Sequence, residues 1–242
     1  MEVNLVPKQP GVRGSLLHIH LETNYPKKKQ ILEEALEQKK FEVFLKRVFD
    51  IFISLLLIIS LSPILIVIAI LVKLTSAGPV LYSNERVGYR GIHFRCFKFR
   101  SMVIDQSIKK DDYEVALSSQ EKGVLHKVKN DTRITWIGKI IRKTSIDELP
   151  QLLNVLRGDM SIIGPRPLVP FMLKNLPEFR EIRCLMRPGI TGLWQIRDRI
   201  NNISAEFMIE HDIEYVENFS LLLDMKILFK TPIVVINAEG AY

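Results

Sequence analysis

Ile51 to Val72 reads IFISLLLIISLSPILIVIAILV, 22 residues without a formal charge. A straight helix of that length rises about 33 Å, enough to cross a hydrocarbon core of about 30 Å. Ser60, Ser62 and Pro63 fall at its centre. A proline there removes a backbone hydrogen bond and clashes with the carbonyl four residues back, while serine hydroxyls can serve backbone groups that have lost a partner. Lys39, Lys40, Lys46 and Arg47 precede the run, and Lys73, Arg86, Arg90, Arg95, Lys98 and Arg100 follow it. Basic residues mark the cytoplasmic side. Basic flanks at both ends suit a hairpin that enters and leaves through one face; a kinked span and a buried helix of a soluble core remain as alternatives.

Working outward, residues 1–25 carry Pro7, Pro10, Gly11 and Gly14 without sustained periodicity and read as a loosely ordered extension with no secretory signal. From Lys27, apolar residues at 31, 32, 35, 36, 41, 44 and 45 alternate with charge, which predicts an amphipathic helix packed on the core or lying along a membrane surface. After the apolar run, Ala77-Gly78-Pro79 ends the membrane element. Val80–Tyr82 and Ile92–Phe99 read as strands around a Gly88–Gly91 turn. Residues 105–131 are polar. Their Asp111-Asp112 pair reads as a solvated surface feature, with a lid over the site as the second reading. Helical patterns follow at 133–142, at 171–186 with an interruption at Pro177, and at 204–218, with Arg187–Gln195 as a loop. The final LLLDMKILFKTPIVVI either completes the core or lies in the interface.

The 242 residues suffice for one domain with an appendage. A formal charge of +7 suits an anionic partner: nucleic acid, an anionic membrane face or phosphorylated substrates. Two distant cysteines, Cys96 and Cys184, argue against a disulfide framework and lack metal-ligand spacing.

The chemistry concentrates in RKTSIDELPQLLNVLRGDMSIIGPRP, Arg142 to Pro167. Ser145 with Glu148 three residues on fits a capping box, but Pro150 would then delete a bond inside the helix. With Asp147 as N-cap, Pro150 falls where no N–H partner is needed, and Asp147 sits at the positive helix end. A purely capping Asp147 is one reading. The other is functional: adjacent carboxylates can hold Mg²⁺ through one or two oxygens, or attack phosphorus to form an acyl phosphate. Such chemistry needs cations, and Arg142, Lys143, Arg157 and Arg166 are near in sequence. Pro165 and Pro167 hold Arg166 in extended backbone, suited to bidentate phosphate binding or to a surface salt bridge.

The chain resembles bacterial sugar transferases, the polyprenol-phosphate phosphoglycosyl transferases in their small monotopic form. The matching residues run in family order: KRVFDIFISLLLIISLSPILIVIAILVKL, GPVLYSNERVG, FRCFKFRSM, RKTSIDELPQLLNVLRGDMSIIGPRP, RPGITGLWQI and EGAY. The match extends from about Lys46 to Tyr242. Asn84 stands where the family commonly has Gln, Phe219 and Leu221 where tryptophans are frequent, and Pro232 interrupts the last apolar run.

The resemblance implies an α+β protein, mainly helical with a small β-hairpin, carrying a re-entrant helix broken at Ser62-Pro63 and interfacial amphipathic helices. Residues 1–45 would form an extension, 46–74 the membrane hairpin and 75–242 a catalytic domain on the cytoplasmic face of the bacterial inner membrane. It implies transfer of a sugar 1-phosphate from a UDP-sugar to undecaprenyl phosphate with Mg²⁺ and release of UMP, initiating a surface glycan. Asp147 would be the nucleophile, carrying the phosphosugar through a ping-pong reaction. Glu148 would complete the dyad, and both acids are the expected metal ligands. Arg166 would bind phosphate, with Lys98, Arg100 and Arg142 as weaker candidates. Membrane lipids are expected partners and nucleic acid is not; self-association is open. The competing readings are a membrane-anchored glycosyltransferase that moves the sugar alone, and a non-catalytic module that binds anionic lipid.

Overall fold

The computed structural model describes residues 25–103, 131–173, 177–197 and 205–236. Residues 1–24 of the expected N-terminal extension, the polar stretch with Asp111-Asp112 and the terminal EGAY lie outside them, apart from Asp131 at the end of the polar stretch.

Helix α1 (Tyr25–Gln38) turns into α2, a long helix over Lys40–Thr75. The α1 helix packs on the core through Leu32 and Leu36, and Lys28 and Lys29 pair with Glu217 and Glu181 at 2.7 and 2.9 Å. The core packing expected of this helix is present, while positions 41, 44 and 45 of the expected pattern fall in α2.

Helix α2 is long and apolar enough to cross a membrane. It is assigned as one element through Ser62-Pro63, so the expected break does not divide it into two helices. Pro63 has no N–H to offer the Ile59 carbonyl, and the Ser62 hydroxyl donates to that carbonyl at 2.8 Å. Both ends of α2 grip the rest of the molecule. Near its start Lys46, Asp50 and Ser54, spaced by one turn, are buried. The Lys46 ammonium donates to the Ile163 carbonyl at 2.8 Å and to Asp224 at 2.7 Å, and Asp50 accepts from the Ile162 amide at 3.0 Å. Near its end Ile68 and Val72 pack with Phe99, Ile137 and Ile141 in a second apolar cluster. The next buried residue after Ser54 is Ile68, and the intervening Leu55, Leu56, Ile59, Ile64, Ile66 and Val67 are exposed.

Strands β1 (Leu81–Val87) and β2 (His93–Phe99) pair antiparallel, from Leu81 opposite Phe99 to Val87 opposite His93. This is the expected hairpin, with β1 continuing five residues beyond Tyr82. Helix α3 (Trp136–Lys143) is capped by the Thr135 hydroxyl, which accepts from the Gly138 amide at 2.9 Å. After a 3-10 turn at Ile146–Glu148 comes α4 (Gln151–Arg157), then β3 (Ser161–Ile163). A second 3-10 turn, Pro170–Leu173, precedes α5 (Pro177–Arg183), so Pro177 opens a helix instead of interrupting one.

The stretch 187–195, expected as a loop, contains β4 (Gly189–Thr191) and the start of α6 (Leu193–Arg197). Strand β4 pairs parallel with β3, Ser161 opposite Gly189 and Ile163 opposite Thr191. The approach is close enough that a Cβ on Gly164 would sit 2.3 Å from the Arg187 carbonyl oxygen, so only glycine fits there. Helices α7 (Ala205–Glu217) and α8 (Leu221–Ile236) close the main core, which gathers Val155, Ile163, Leu168, Tyr215 and Ile227. The terminal apolar helix α8 thus completes the core through Ile227, while Leu222, Phe229 and Ile233 remain exposed.

The Lys46–Asp224 pair is buried, and Asp224 also accepts from the Tyr215 hydroxyl at 2.7 Å. Removing one partner of a buried pair leaves an uncompensated charge. Asp224→Ala should therefore destabilise the protein by about 3–5 kcal/mol, read as a lowered melting temperature in detergent. Lys46→Met combined with Asp224→Leu should recover part of the loss. An unchanged melting temperature for the single variant would contradict the anchoring role.

Candidate active site

The site is assembled by three short segments brought to one place. Strand β2 delivers Lys98 at its end, on the same face as Cys96. The β2 edge is fixed by Asn154 of α4. Its side-chain oxygen accepts from the Phe97 amide at 3.0 Å, and its side-chain nitrogen donates to the Arg95 carbonyl at 2.8 Å and to Asp159 at 3.1 Å. This buried amide acts as a strand partner and sets the height of α4 against β2.

Ahead of α4 lies the acidic pair. The expectation of Asp147 as a helix N-cap is corrected: Ser145 takes a left-handed conformation at φ 57°, Ile146–Glu148 form a 3-10 turn, and Pro150 is the N-cap of α4. Pro150 has no N–H with which to continue the ladder, and the turn closes through the Leu149 amide donating to the Ile146 carbonyl at 3.1 Å. Both carboxylates are thereby held on a tight turn, half-buried. Lys98 meets Glu148 at 2.5 Å.

The third segment is the Pro165–Pro167 loop after β3. Its Arg166 amide donates to Asp212 at 2.9 Å, and its Arg166 carbonyl accepts from Arg183, which is itself paired with Asp212 at 2.7 Å in a buried position. Arg86 donates to the Pro167 carbonyl at 3.0 Å. With the backbone held from both sides, the Arg166 guanidinium lies over the Trp194 ring, 4.5 Å from its centroid.

Arg86, Cys96, Lys98, Glu148, Gln151 and Arg166 line one cleft. Of the residues singled out from sequence, the structure thus brings Lys98, Glu148 and Arg166 together. Asp147 adjoins them, within the electrostatic reach of Lys98, Glu148 and Arg142. Arg100 stands apart. It is buried, and its guanidinium donates to the carbonyls of Pro79, Val72 and Ser76 at 2.5, 3.2 and 2.6 Å, capping the end of α2. Ser62 and Pro63 belong to the exposed middle of α2.

Arg86, Gln151, Trp194, Asn154 and Asp212 were missed as site residues. The first four sit inside the quoted motifs, and that was the available signal. Asp212 gives no local signal, because its partners are 29 and 46 residues away. Gln151 is 3% exposed and lines the same cleft.

Electrostatics set the chemistry. Burial and the neighbouring Glu148 push the Asp147 carboxyl up to about 6, against the pull of Lys98 and Arg142. Burial lowers Arg86 from its usual value, and Arg166 adds to the effect by like-charge repulsion. Burial likewise raises the Cys96 thiol, which stays protonated at neutral pH. No group of three or more metal-ligating side chains occurs among the described residues. Asp147 and Glu148 nonetheless fit Mg²⁺, which takes one or two carboxylates and completes its shell with water and phosphate oxygens. Asp147 is raised chiefly by burial and then by Glu148, and a dication held by the pair would favour its ionised form.

The model of the family described as bacterial sugar transferase matches residues 41–238. The undecaprenyl-phosphate galactose phosphotransferase of Salmonella typhimurium is 44% identical over 208 residues, covering 84% of this chain and 43% of that protein. The exopolysaccharide production protein ExoY of Sinorhizobium fredii is 41% identical over 199 residues, covering 81% of this chain and 88% of that protein. A UDP-N-acetylgalactosamine-undecaprenyl-phosphate N-acetylgalactosaminephosphotransferase of Aeromonas hydrophila is 40% identical over 207 residues, covering 82% of this chain and 45% of that protein. The chain therefore spans under half the length of the Salmonella and Aeromonas proteins and most of ExoY. On the extent of these matches, the chain belongs to the bacterial sugar transferase family.

Proposed function

We propose that this chain is a phosphoglycosyl transferase that moves a sugar 1-phosphate from a UDP-sugar to undecaprenyl phosphate, releases UMP and so starts a bacterial surface glycan. One observation carries the reading: Glu148, Lys98 and Arg166 converge on a single cleft beside Asp147. The names of the relatives agree with a sugar phosphotransferase acting on a polyprenyl carrier.

In the first half-reaction a carboxylate oxygen of Asp147 attacks the phosphorus that bears the sugar. The bond from that phosphorus to the UMP oxygen breaks, UMP leaves with the electron pair, and an acyl phosphate remains on Asp147. In the second, an oxygen of undecaprenyl phosphate attacks the same phosphorus and the Asp147 carboxylate is released. Arg166, Arg86 and Lys98 face the charge on the phosphate oxygens. Arg142 favours the ionised, attacking form of Asp147. Glu148 holds Lys98 in the cleft. With Asp147 it would hold Mg²⁺, which when bound neutralises part of the diphosphate charge.

We place α2 as a re-entrant element in the cytoplasmic leaflet of the inner membrane, with the catalytic body on the cytoplasmic face. What supports this is that both ends of α2 pack on one body while its apolar middle, around Ser62-Pro63, stays exposed. Epitope tags at both chain ends should then be protected from external protease in intact spheroplasts; digestion of one tag alone would mean a span.

Asp147→Asn should abolish UMP release, and mass spectrometry of quenched wild-type enzyme should find a phosphosugar on the Asp147 peptide. Release of UDP in place of UMP would mean transfer of the sugar alone. Because Asp147 is raised to about 6, its carbodiimide labelling in metal-free protein should fall as pH rises through that value, and Mg²⁺ should move the midpoint down. A midpoint that ignores Mg²⁺ would remove Asp147 from the metal site.

A further inference from the structure

We propose that a second cavity, on the other side of Glu148, receives the first isoprene units of the polyprenyl phosphate acceptor; this rests on the function proposed above. The cavity has a volume of about 200 Å³, and its walls include Leu149, Ile190, Ile196, Thr231, Val234 and Val235. They come from four places in the chain: the residue after the acidic turn, β4, α6 and the end of α8.

Its position identifies the occupant. Glu148 and Ile190 line both this cavity and the cationic cleft, so the two meet at the acidic turn. One compartment offers Arg86, Lys98 and Arg166; the other is walled largely by apolar side chains, with Thr144, Ser145, Thr191, Gln195 and Thr231 also in its lining and Glu148 as the charged residue at its border. A ligand that uses both has an anionic head and a branched hydrocarbon tail. A nucleotide sugar, polar along its length, gains little from walls of valine, isoleucine and leucine. A polyprenyl phosphate matches the pair, with its phosphate toward Arg166 and its first prenyl units against α8.

The same helix also carries apolar residues on its exposed side. Ile233, next to the wall residue Val234, is 60% exposed, and Phe229, one turn earlier, is 69% exposed. With Leu222 they lie along the outer side of α8, turned away from the wall residues Thr231, Val234 and Val235, with the exposed Lys226 among them.

The test uses the full chain in nanodiscs. Val234→Trp fills the cavity and should raise KM for undecaprenyl phosphate about tenfold, equal to about 1.4 kcal/mol. The first-turnover release of UMP, measured without acceptor, should stay at the wild-type level. A wild-type KM in this variant would overturn the proposal. Because Val234→Trp can perturb folding, a second measurement uses the wild-type protein and a diazirine-bearing prenyl phosphate. Crosslinks at 231–235 or 190–196 support the cavity; crosslinks confined to 40–75 overturn it. Labelling that appears only after removal of residues 237–242 also overturns it, since the chain's own end would then be the occupant. A wild-type enzyme that releases no UMP in the absence of acceptor would instead defeat the covalent route through Asp147, and release of UDP would defeat the phosphoglycosyl reading; the crosslinking pattern is read independently of both.

Discussion

A single ammonium group ties the lipid-facing part of this protein to its chemistry. Lys46 leaves the long helix, passes beneath the surface and is held by the Ile163 carbonyl and the Asp224 carboxylate. An isolated buried cation is expensive, and this one is tolerated because each of its partners is itself anchored. Ile163 ends β3, two residues before the Pro-Arg-Pro loop begins, and Asp224 belongs to the last helix, held by Tyr215. The position of α2 and the position of Arg166 are therefore parts of one network. Asp50 extends it by accepting the Ile162 amide from the same helix face.

The cleft that follows from this is electrostatically unfinished. Arg166 disfavours the charge of Arg86, which burial already lowers, and Glu148 disfavours the charge of Asp147, which burial already raises. Lys98 links the two groups through Glu148. A phosphate placed between the arginines relieves the first repulsion, and a dication at the carboxylates relieves the second. On the function proposed above, a ligand carrying phosphate together with a hard metal ion would relieve both repulsions.

Much of this was legible in the chain because the signals were local. The charge-free run from Ile51 to Val72 marks its helix by composition, and the turn glycines between β1 and β2 mark the hairpin. Arg166 between its prolines could be read as a rigidly presented cation from backbone restriction alone. Other readings failed for physical reasons. The helix start at Asp147 was misplaced because Pro150 tightens the preceding turn into a 3-10 form, which shifts the cap by three residues. Strands β3 and β4 have three residues each, too short for alternation to register. Arg100 looked like a phosphate ligand because a basic residue after a strand reads the same whether its target is a substrate or a helix end. Asp212 and Asn154 act across long sequence separations, and only the assembled fold shows what they hold.

The hydroxyl of Ser62 bears on how such a helix can live in oil. Within hydrocarbon there is no solvent molecule to answer a carbonyl stripped of its amide, and a proline at residue 63 strips Ile59. By supplying the missing donor from the adjacent side chain, the chain keeps its weakest backbone point dry. Under the re-entrant placement proposed above, curvature at that point would need no aqueous defect, and the apolar segment would turn back within one leaflet without drawing the interface inward after it.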